Sequence, residues 1–574
     1  MTNRKISFII LAFLWVFTAC TPPSQPTPES TTAPASTLLP VQDGPSLPIG
    51  PTALWIGWLN GPDSPNPFVA QWSASYNIFD LVYSSLYRLS LDGTYIPDLV
   101  ENSFVSPNQH IWTFTIRSGV KFHDNIPLTA RDVAFSLNLY KKFPEVNALN
   151  ETTVEIRLTD PIPNMEGHLA NLYILPQHIW DRYENALDTF DNLEMIGSGP
   201  FKMEIYAPES FVYLKAVPDH YAYPPKIDDL VFYNFPDETS LKEALVTGDV
   251  QLIYTLPYFE VASLADTPNI EVVTGQPLYS GFEEIVFNQL NPKDCPTTAS
   301  YSAPASTPED INVTLCSGHP ALRDQTVREA MSYAVDKVTL INQALHGRGT
   351  PGVSIIPLGL EHFFDPMLKD YAYDPALAND KLDQAGYLDT NGDHIREMPT
   401  NSPDPGRPLS FRLYYPGPSV YYEQIIAELD RMWQAIGIEL IVREMDAEPL
   451  TYLCCPTFDF DLILWGWSVE PEPGDIFDIF STSKIPSGYN EAGFSDPDYD
   501  ILNAIQHTEI DTTKRLEILW EMQRIIHDQA ATLVLYYPEA VAAYRSDQFT
   551  GWITDATHLA LEDFSSLTQI EPVK

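Results

Sequence analysis

The 574-residue sequence has little positive charge, few cysteines and no long hydrophobic run. It contains 32 Lys and Arg residues and 77 Asp and Glu residues. The resulting formal net charge of -45 disfavours nucleic acid and anionic lipid headgroups as partners. No apolar stretch reaches the roughly 20 residues that a membrane-spanning helix needs. No repeat of fixed period is visible either, which excludes a solenoid.

Motifs of common enzyme classes are also missing. The sequence contains no His-Glu-x-x-His, Gly-x-Ser-x-Gly or phosphate-loop motif. Residues 347–352 match the dinucleotide pattern only in letters, and residues 481–484 match a serine–lysine pattern whose companion Lys-Thr-Gly is absent. Asp389, Asn391 and Asp393 have calcium-loop spacing but lack the closing acid, so a polar turn is favoured. We therefore expect no catalytic residues, no metal and no cofactor.

A short apolar run, residues 6–19, follows Arg4 and Lys5 and ends at Cys20. This arrangement is typical of a secretory signal peptide. The tetrapeptide before and including Cys20 resembles a bacterial lipobox, with Phe17 in place of the usual leucine. We expect residues 1–20 to comprise a signal peptide and a lipidated Cys20. Ordinary cleavage and an uncleaved anchor are the alternatives.

Residues 21–51 are rich in Pro, Ser and Thr and carry too little apolar surface to fold. The segment is expected to be a disordered linker. The remaining chain, roughly 520 residues, exceeds the ~150 typical of one domain, so more than one lobe is expected.

Four further cysteines belong to the exported part of the chain, where disulfides are the first expectation. Cys295 and Cys316 flank a Pro, Ser and Thr-rich stretch, and a disulfide closing this loop would contribute about 3 kcal/mol. Cys454 and Cys455 are adjacent, which permits a vicinal disulfide, two buried thiols or a metal pair. Zinc is the least favoured of these, because no His or Cys stands nearby at ligand spacing.

The secondary-structure pattern is mixed α/β without strict alternation. Trp112, Phe114 and Ile116 alternate with polar residues, as expected for a half-buried strand. Helices are predicted after the capping residues Thr129 and Asp374, and a third is predicted to run from 422 to 436 with Gly437 after it.

Local signatures then occur in a characteristic order. They cover residues 81–87, 113–133, 197–201, 247–250, 327–337, 373–387, 437–438, 460–467 and 551–552. In order and spacing they resemble the extracytoplasmic solute-binding proteins, family 5, which serve ABC importers of the oligopeptide and dipeptide class. Asn125 replaces the usual glycine in the most characteristic of them.

The resemblance implies an α/β, periplasmic-binding-protein-like fold (type II) with two hinged lobes and an extra subdomain in the first lobe. The boundaries that it suggests are 52–81, 195–278 and 530–574 for lobe I, 82–194 for the extra subdomain, and 279–529 for lobe II.

Candidate ligand-binding residues follow from the same resemblance. In peptide-binding relatives, the acid three residues after the tryptophan of the Gly-Trp motif receives the peptide's amino-terminal ammonium, and Glu470 stands there. Trp467 is expected to form a wall of the site, while Tyr279 and Ser280 are candidates by position. The alternatives are a solvated acid for Glu470 and an ordinary core residue for Trp467. Leu464 replaces the arginine that some oligopeptide binders carry.

The implied function is capture of a solute, most plausibly a peptide, and its delivery to an ABC transporter permease. Such a protein is expected to be a monomer held at the outer face of the cytoplasmic membrane by its lipid, and not an enzyme. A sensor of the same fold that signals to a membrane partner is the alternative, and a secreted hydrolase is the least favoured.

Overall fold

A computed structural model describes residues 49–574, except residues 60, 71, 255, 300–302, 305, 309, 310, 312, 418, 487 and 488. Cys20 and residues 21–48 of the predicted linker lie outside the described residues. Within the described part, none of the helices has the length and apolar character needed to span a bilayer.

The strands, in chain order, are β1 Ala53–Trp58, β2 Tyr87–Leu89, β3 Tyr95–Pro97, β4 Val100–Val105, β5 Ile111–Ile116, β6 Glu145–Ala148, β7 Thr153–Arg157, β8 Phe201–Ala207, β9 Phe211–Ala216, β10 Asp229–Asn234, β11 Leu252–Ile253, β12 Ile270–Gly275, β13 Gly281–Phe287, β14 Gly349–Pro351, β15 Ser410–Pro416, β16 Glu439–Met445, β17 Leu462–Ser468, β18 Thr532–Pro538, β19 Ala540–Arg545, β20 Phe549–Thr550 and β21 Glu571–Pro572.

The α-helices are α1 Ser73–Val82, α2 Ala130–Tyr140, α3 Met165–Ala170, α4 Gln177–Trp180, α5 Glu238–Thr247, α6 Val261–Ala265, α7 Gln325–Tyr333, α8 Lys337–Ala344, α9 Pro375–Ala385, α10 Val420–Gln434, α11 Ala447–Cys454, α12 Pro497–Gln506, α13 Thr512–Asp528 and α14 Phe564–Leu567.

The first lobe is built on a seven-stranded sheet in the order β12-β19-β11-β1-β10-β9-β8. Strand β1 runs parallel to β10 and β11, while the other neighbours are antiparallel. Leu54 and Ile56 of β1 are fully buried and join the core that Phe79 of α1 and Phe232 of β10 also enter.

The second lobe is built on a six-stranded sheet in the order β14-β18-β13-β17-β15-β16. Both of its faces are covered, because successive side chains of a strand point to opposite sides. Ile285 of β13 and Leu464 of β17 pack on one face with helices α7 to α10, and Phe282 and Ile463 pack on the other with α11 and α13. The sheet therefore separates two hydrophobic cores.

A third sheet, antiparallel and four-stranded, has the order β4-β5-β7-β6 and lies within residues 100–157. In β5, Trp112, Phe114 and Ile116 are buried as their alternation predicts. Thr129 caps α2 in a capping box with Asp132, so the predicted helix start is confirmed.

The chain passes between the two large sheets at two places, from β12 to β13 and from β18 to β19. The second passage is the single residue Glu539. The predicted start of the last lobe I segment at residue 530 is wrong in this respect, because β18 pairs with β13 and β14 of the second sheet. Two consecutive apolar strands carry no sequence signal for which sheet each one joins.

The Pro, Ser and Thr-rich insertion is closed by a disulfide between Cys295 and Cys316, whose Cα atoms are 6.0 Å apart. The Cys316 N–H donates to the Thr457 carbonyl over 2.8 Å, which attaches the end of the insertion to the second lobe.

Candidate functional site

A cavity of about 540 Å³ lies between the two lobes. We call it the large chamber. The first lobe contributes Tyr254 and Glu562, and the second lobe contributes Glu283, Tyr422 and Tyr536. A solute held here would touch both lobes.

A smaller cavity of about 310 Å³, the small chamber, adjoins it. Both chambers share Asp80, Tyr279 and Ser468 as lining residues. The small chamber is also lined by Asn171 of the extra subdomain and by Glu470, which follows β17. The two chambers together form one site between the lobes.

Glu470 is in contact with the opposite wall of the small chamber. Its Oε2 accepts a hydrogen bond from Asn171 Nδ2 over 3.2 Å. Nearby, Asp80 Oδ1 accepts from the Tyr173 hydroxyl over 2.9 Å. The surrounding protein solvates the ionised form less well than water and raises the pKa of both carboxyl groups, although the Glu470 side chain is exposed to the chamber. A cation in this chamber would be attracted to both groups.

Arg88 is the only Lys, Arg or His among the described lining residues of the chambers. Its guanidinium is fully engaged: Nε lies 2.7 Å from Asp98 Oδ2, and the two terminal nitrogens donate to the carbonyls of Asp80 and Tyr83. The chambers therefore offer no free cationic side chain to a carboxylate of the solute.

The large chamber is lined by acidic groups. Glu283 Oε2 accepts from the Tyr422 hydroxyl over 2.8 Å, and burial raises the pKa of Glu283 to about 7. Burial likewise raises the pKa of Glu562 to about 7 and that of Asp563 to about 6. Three carboxyl groups with raised pKa values thus stand around one cavity.

The predicted residues Tyr279 and Ser280 have different positions. Tyr279 lines both chambers and keeps 39% of its surface exposed. Ser280 is 2% exposed and lines neither chamber; its carbonyl accepts from the Val469 N–H over 2.7 Å. Ser280 therefore fixes the start of β13 against the end of β17.

Trp467 is on the other face of the second sheet. It pairs in register with Phe282, whereas its neighbour Ser468 lines both chambers. The Trp467 indole Nε1 donates to Glu491 Oε1 over 2.9 Å, and its ring meets Tyr489 edge to face. Since strand side chains alternate, Ser468 and Trp467 cannot both face the site.

Sequence reasoning missed several residues that line the chambers: Asp80, Asn171, Glu283, Tyr422 and Glu562. They come from segments separated by up to 482 positions, so no local motif joins them. The one available signal was the pair Glu283-Glu284 within an otherwise apolar segment, because the alternation of a strand there would direct one acid to each face.

Glu284 points to the opposite face, where it belongs to a buried cluster with Glu491 and the adjacent Cys454 and Cys455. The two cysteine Sγ atoms are 2.7 Å apart, both cysteines are free, and ligand atoms of Cys454, Cys455 and Glu491 lie within 4.8 Å of one another. Thr532 donates to Glu284, and burial raises the pKa of Glu284 to about 7.

The turn at residues 389–393, whose spacing resembles a calcium loop, has a further acid beside it, Glu397, that the spacing did not indicate. Oxygen atoms of Asp389, Asp393 and Glu397 lie within 4.8 Å of one another. Glu397 is 5% exposed and accepts from the Thr390 N–H over 2.8 Å, while Asp389 accepts from the backbone N–H groups of Gly392 and His394. The carboxylates thus hold the turn by hydrogen bonds.

Comparison with known proteins agrees with this geometry. The chain is 25% identical over 567 residues to the oligopeptide-binding protein AppA of Bacillus subtilis, covering 94% of both sequences. It is 23% identical over 522 residues to the glutathione-binding protein GsiB of Salmonella typhi, covering 87% of this chain and 91% of that protein.

Among solved structures, AppA of Bacillus subtilis in complex with a nonapeptide superimposes with a TM-score of 0.73 at 23% identity, covering 91% of this chain and 99% of that one. Its likeness establishes the two-lobed fold. Residues 94–487 match the bacterial extracellular solute-binding proteins, family 5, in the middle region of that family. The chain therefore belongs to the family 5 bacterial extracellular solute-binding proteins.

Proposed function

We propose that this chain captures a peptide between its lobes and delivers it to an ABC transporter permease at the outer face of the cytoplasmic membrane. The observation that carries the proposal is the interlobe site itself, two adjoining chambers whose described lining consists largely of carboxylates and tyrosines and includes no free cationic side chain. Such a site suits a solute that presents an ammonium group. Relatives named for binding oligopeptides and glutathione support peptides as the cargo.

The amino terminus of the peptide is assigned to Glu470. A carboxylate and an ammonium form a charge-assisted hydrogen bond, which is stronger in a poorly solvated cleft than in bulk water. The Asn171–Glu470 contact joins the extra subdomain to the second lobe. An ammonium bound at Glu470 would therefore be enclosed by both walls, and its contacts would favour the closed arrangement.

The cargo leaves the site chemically unchanged, since binding and closure alone perform the task. Passages of the backbone between the lobes at residues 276–280 and at Glu539 provide the hinge. Tethering by a lipid on Cys20, with residues 21–51 as spacer, keeps the protein next to its permease.

Native mass spectrometry of protein purified without denaturation tests the cargo, with peptide masses expected on the folded protein. Calorimetry with one of those peptides then compares Glu470→Gln with Glu209→Gln, an exposed acid outside the chambers. Loss of the ammonium partner should weaken binding about 30-fold or more, because truncating one side of such a pair costs about 2 to 5 kcal/mol.

N-acetylated peptide provides the decisive control. It should bind the unmodified protein and the Glu470→Gln variant equally weakly, since the charge is then missing on the other side. Strong binding of the acetylated peptide to the unmodified protein would contradict the role of Glu470, while failure of every peptide to bind would contradict peptide capture.

The membrane anchor has a separate test. The mature protein should carry a diacylglycerol mass on Cys20, and Cys20→Ala should appear in the medium instead of the membrane fraction. A mature mass without lipid would reject the tether and leave the binding function untouched.

A further inference from the structure

The large chamber combines a high density of carboxyl groups with a complete lack of cations. Its described lining includes Asp80, Glu283, Glu539, Glu562 and Asp563, and no Lys, Arg or His. An amino-terminal ammonium at Glu470 would occupy the small chamber, because Glu470 lines only that one. Glu283 and Glu562 are therefore left without a positive partner, whereas Asp80 and Asp563 also line the small chamber and lie near Arg88.

Glu562 is the least satisfied of these groups. No side chain of another described residue donates a hydrogen bond to its carboxyl group, and only its own backbone and the neighbouring Asp563 act on its ionisation besides burial. Glu283 has one donor, the neutral Tyr422 hydroxyl. Neither acid has a cation among the groups that act on it.

Glu539 also has a nearby cation, but the contact is weak. Arg348 Nη1 lies 3.6 Å from Glu539 Oε2, and about a third of each side chain is exposed to solvent. Exposed pairs of this kind contribute little, since water screens them. Arg348 thus leaves the negative potential of the chamber interior largely uncompensated.

The walls between these acids are aromatic. Tyr258 and Tyr421 both line the large chamber, with ring centroids 5.3 Å apart, and the Tyr258 N–H donates to the Tyr421 hydroxyl over 2.7 Å. Tyrosine faces attract ammonium and guanidinium groups, and they also cover the methylene stem of a long side chain. The chamber is therefore suited to a Lys or Arg side chain in both charge and surface.

The acids stand on opposite lobes. Glu283 belongs to β13 of the second sheet, while Glu562 precedes α14, which packs in the core of the first lobe. Closing the empty site brings these negative groups together at an energetic cost. A cation between them removes that cost, so its contribution to affinity is realised in the closed form.

We propose that the large chamber holds a second positive charge of the cargo, so that the preferred solutes are peptides with a Lys or Arg side chain in addition to the amino terminus. This inference rests on the proposed function. It adds a charge requirement at a part of the site that Glu470 does not serve.

The test uses alanine-based peptides of one length with a free amino terminus. Each carries one lysine, moved one position at a time, or norleucine, which keeps the stem and removes the charge. Calorimetry at pH 7.5 should show, for at least one position, a lysine peptide that binds about tenfold tighter or more than its norleucine counterpart.

Two double variants separate local from general electrostatics. Glu283→Gln with Glu562→Gln should abolish the difference between lysine and norleucine peptides. Glu184→Gln with Glu209→Gln removes the same charge from exposed positions outside the chambers and should preserve the difference. Melting temperatures establish that both variants fold, and the two single variants replace the first double variant if it does not.

Proton release provides an independent readout. Burial raises the pKa values of Glu283 and Glu562 to about 7, so both are partly protonated in the empty chamber at neutral pH. A bound cation should ionise them. The difference in binding enthalpy between phosphate and Tris buffers, which ionise with different enthalpies, should then report more protons released by the lysine peptide than by the norleucine peptide, because both peptides exchange protons at the amino terminus and only the first does so at Glu283 and Glu562.

The outcomes distinguish the two proposals. Equal affinity for lysine and norleucine at every position would overturn the charge requirement while peptide capture stands. A preference for lysine that persists in the Glu283/Glu562 variant would overturn the assignment to this chamber. Failure of all peptides to bind would overturn the proposed function, and the inference with it.

Discussion

Glu283 and Glu284 are consecutive residues of β13, yet they stand in different environments. Glu283 lines the large chamber and is partly accessible to solvent, while Glu284 is 1% exposed on the other face beside Glu491 and Cys454. Burial raises the pKa of each to about 7. A ligand can neutralise the first acid. The second must be neutralised by a proton inside the protein.

This difference separates a binding face from a packing face within one sheet. The chamber face carries Glu283, Gly466 and Ser468, and a Cβ added at Gly466 would come 2.6 Å from Glu283 Oε1. The packing face carries Phe282, Trp467 and the cysteine cluster. At this end of the sheet, substitutions of Glu283 and Ser468 should affect binding, and substitutions of Phe282 should affect stability.

The largest effect is expected for Phe282→Ala on the packing face. Phe282 is 1% exposed, so truncation should lower the free energy of unfolding by about 3 to 5 kcal/mol. Urea denaturation at pH 7 measures this value. Ser468→Ala on the chamber face is the control and should change it by less than about 0.5 kcal/mol. Equal effects would contradict the division of the sheet into two faces.

Glu284→Gln should increase stability in a pH-dependent manner. Between pH 4.5 and about 7 the folded state keeps a proton on Glu284 that the unfolded chain releases, so rising pH lowers the free energy of unfolding across that window. Glutamine mimics the protonated acid. The variant should gain about 2 to 3 kcal/mol over the unmodified protein at pH 8 and nothing below pH 4.5. If the difference in unfolding free energy between the two proteins did not change with pH, Glu284 would not be protonated in the folded protein.

Trp467→Phe should have a moderate effect on stability and none on cargo affinity. The substitution removes the 2.9 Å hydrogen bond to the buried Glu491, which is worth about 1 to 2 kcal/mol. Denaturation and calorimetry on the same preparation measure both quantities. A large loss of affinity with unchanged stability would place the indole in the site after all.

The smallest change in stability is expected for Glu283→Gln. Glu283 is half-buried at the large chamber, whereas Glu284 is 1% exposed, so solvent screening should reduce the gain at pH 8 to below about 1 kcal/mol, although burial raises the pKa of both acids. The same titration of unfolding curves measures it. A gain as large as that of Glu284→Gln would mean that solvent screens Glu283 no better than it screens Glu284.

Local features of the fold could be predicted from the sequence. The caps at Thr129 and Asp374 are present as predicted, and the third predicted helix is present as α10, which ends at Gln434, three residues before Gly437. These features depend on residues a few positions apart, and their chemistry acts within one turn. The ordered signatures extended the prediction to the family and the two-lobed fold.

The site could be predicted only in part. Glu470 lies in the small chamber as the resemblance suggested, but the acids of the large chamber come from distant segments that only the folded chain brings together. Trp467 could have been placed correctly, because the alternation that directs Ser468 to the site directs its neighbour away. Assigning β18 to a lobe required its hydrogen-bonded partners in β13 and β14, which are 185 or more positions away.

Glu539 is the single residue by which the chain returns from the second lobe to the first. A group on the axis of a hinge moves little while the lobes on either side rotate. With the hinge proposed above, its carboxylate is expected to keep the same surroundings in the open and shut forms, whereas Glu283 and Glu562 are expected to approach each other on shutting. A spectroscopic label at residue 539 would therefore respond to the charge of the bound cargo and not to the lobe motion. It would serve as a fixed reference for labels placed at the edges of the two lobes.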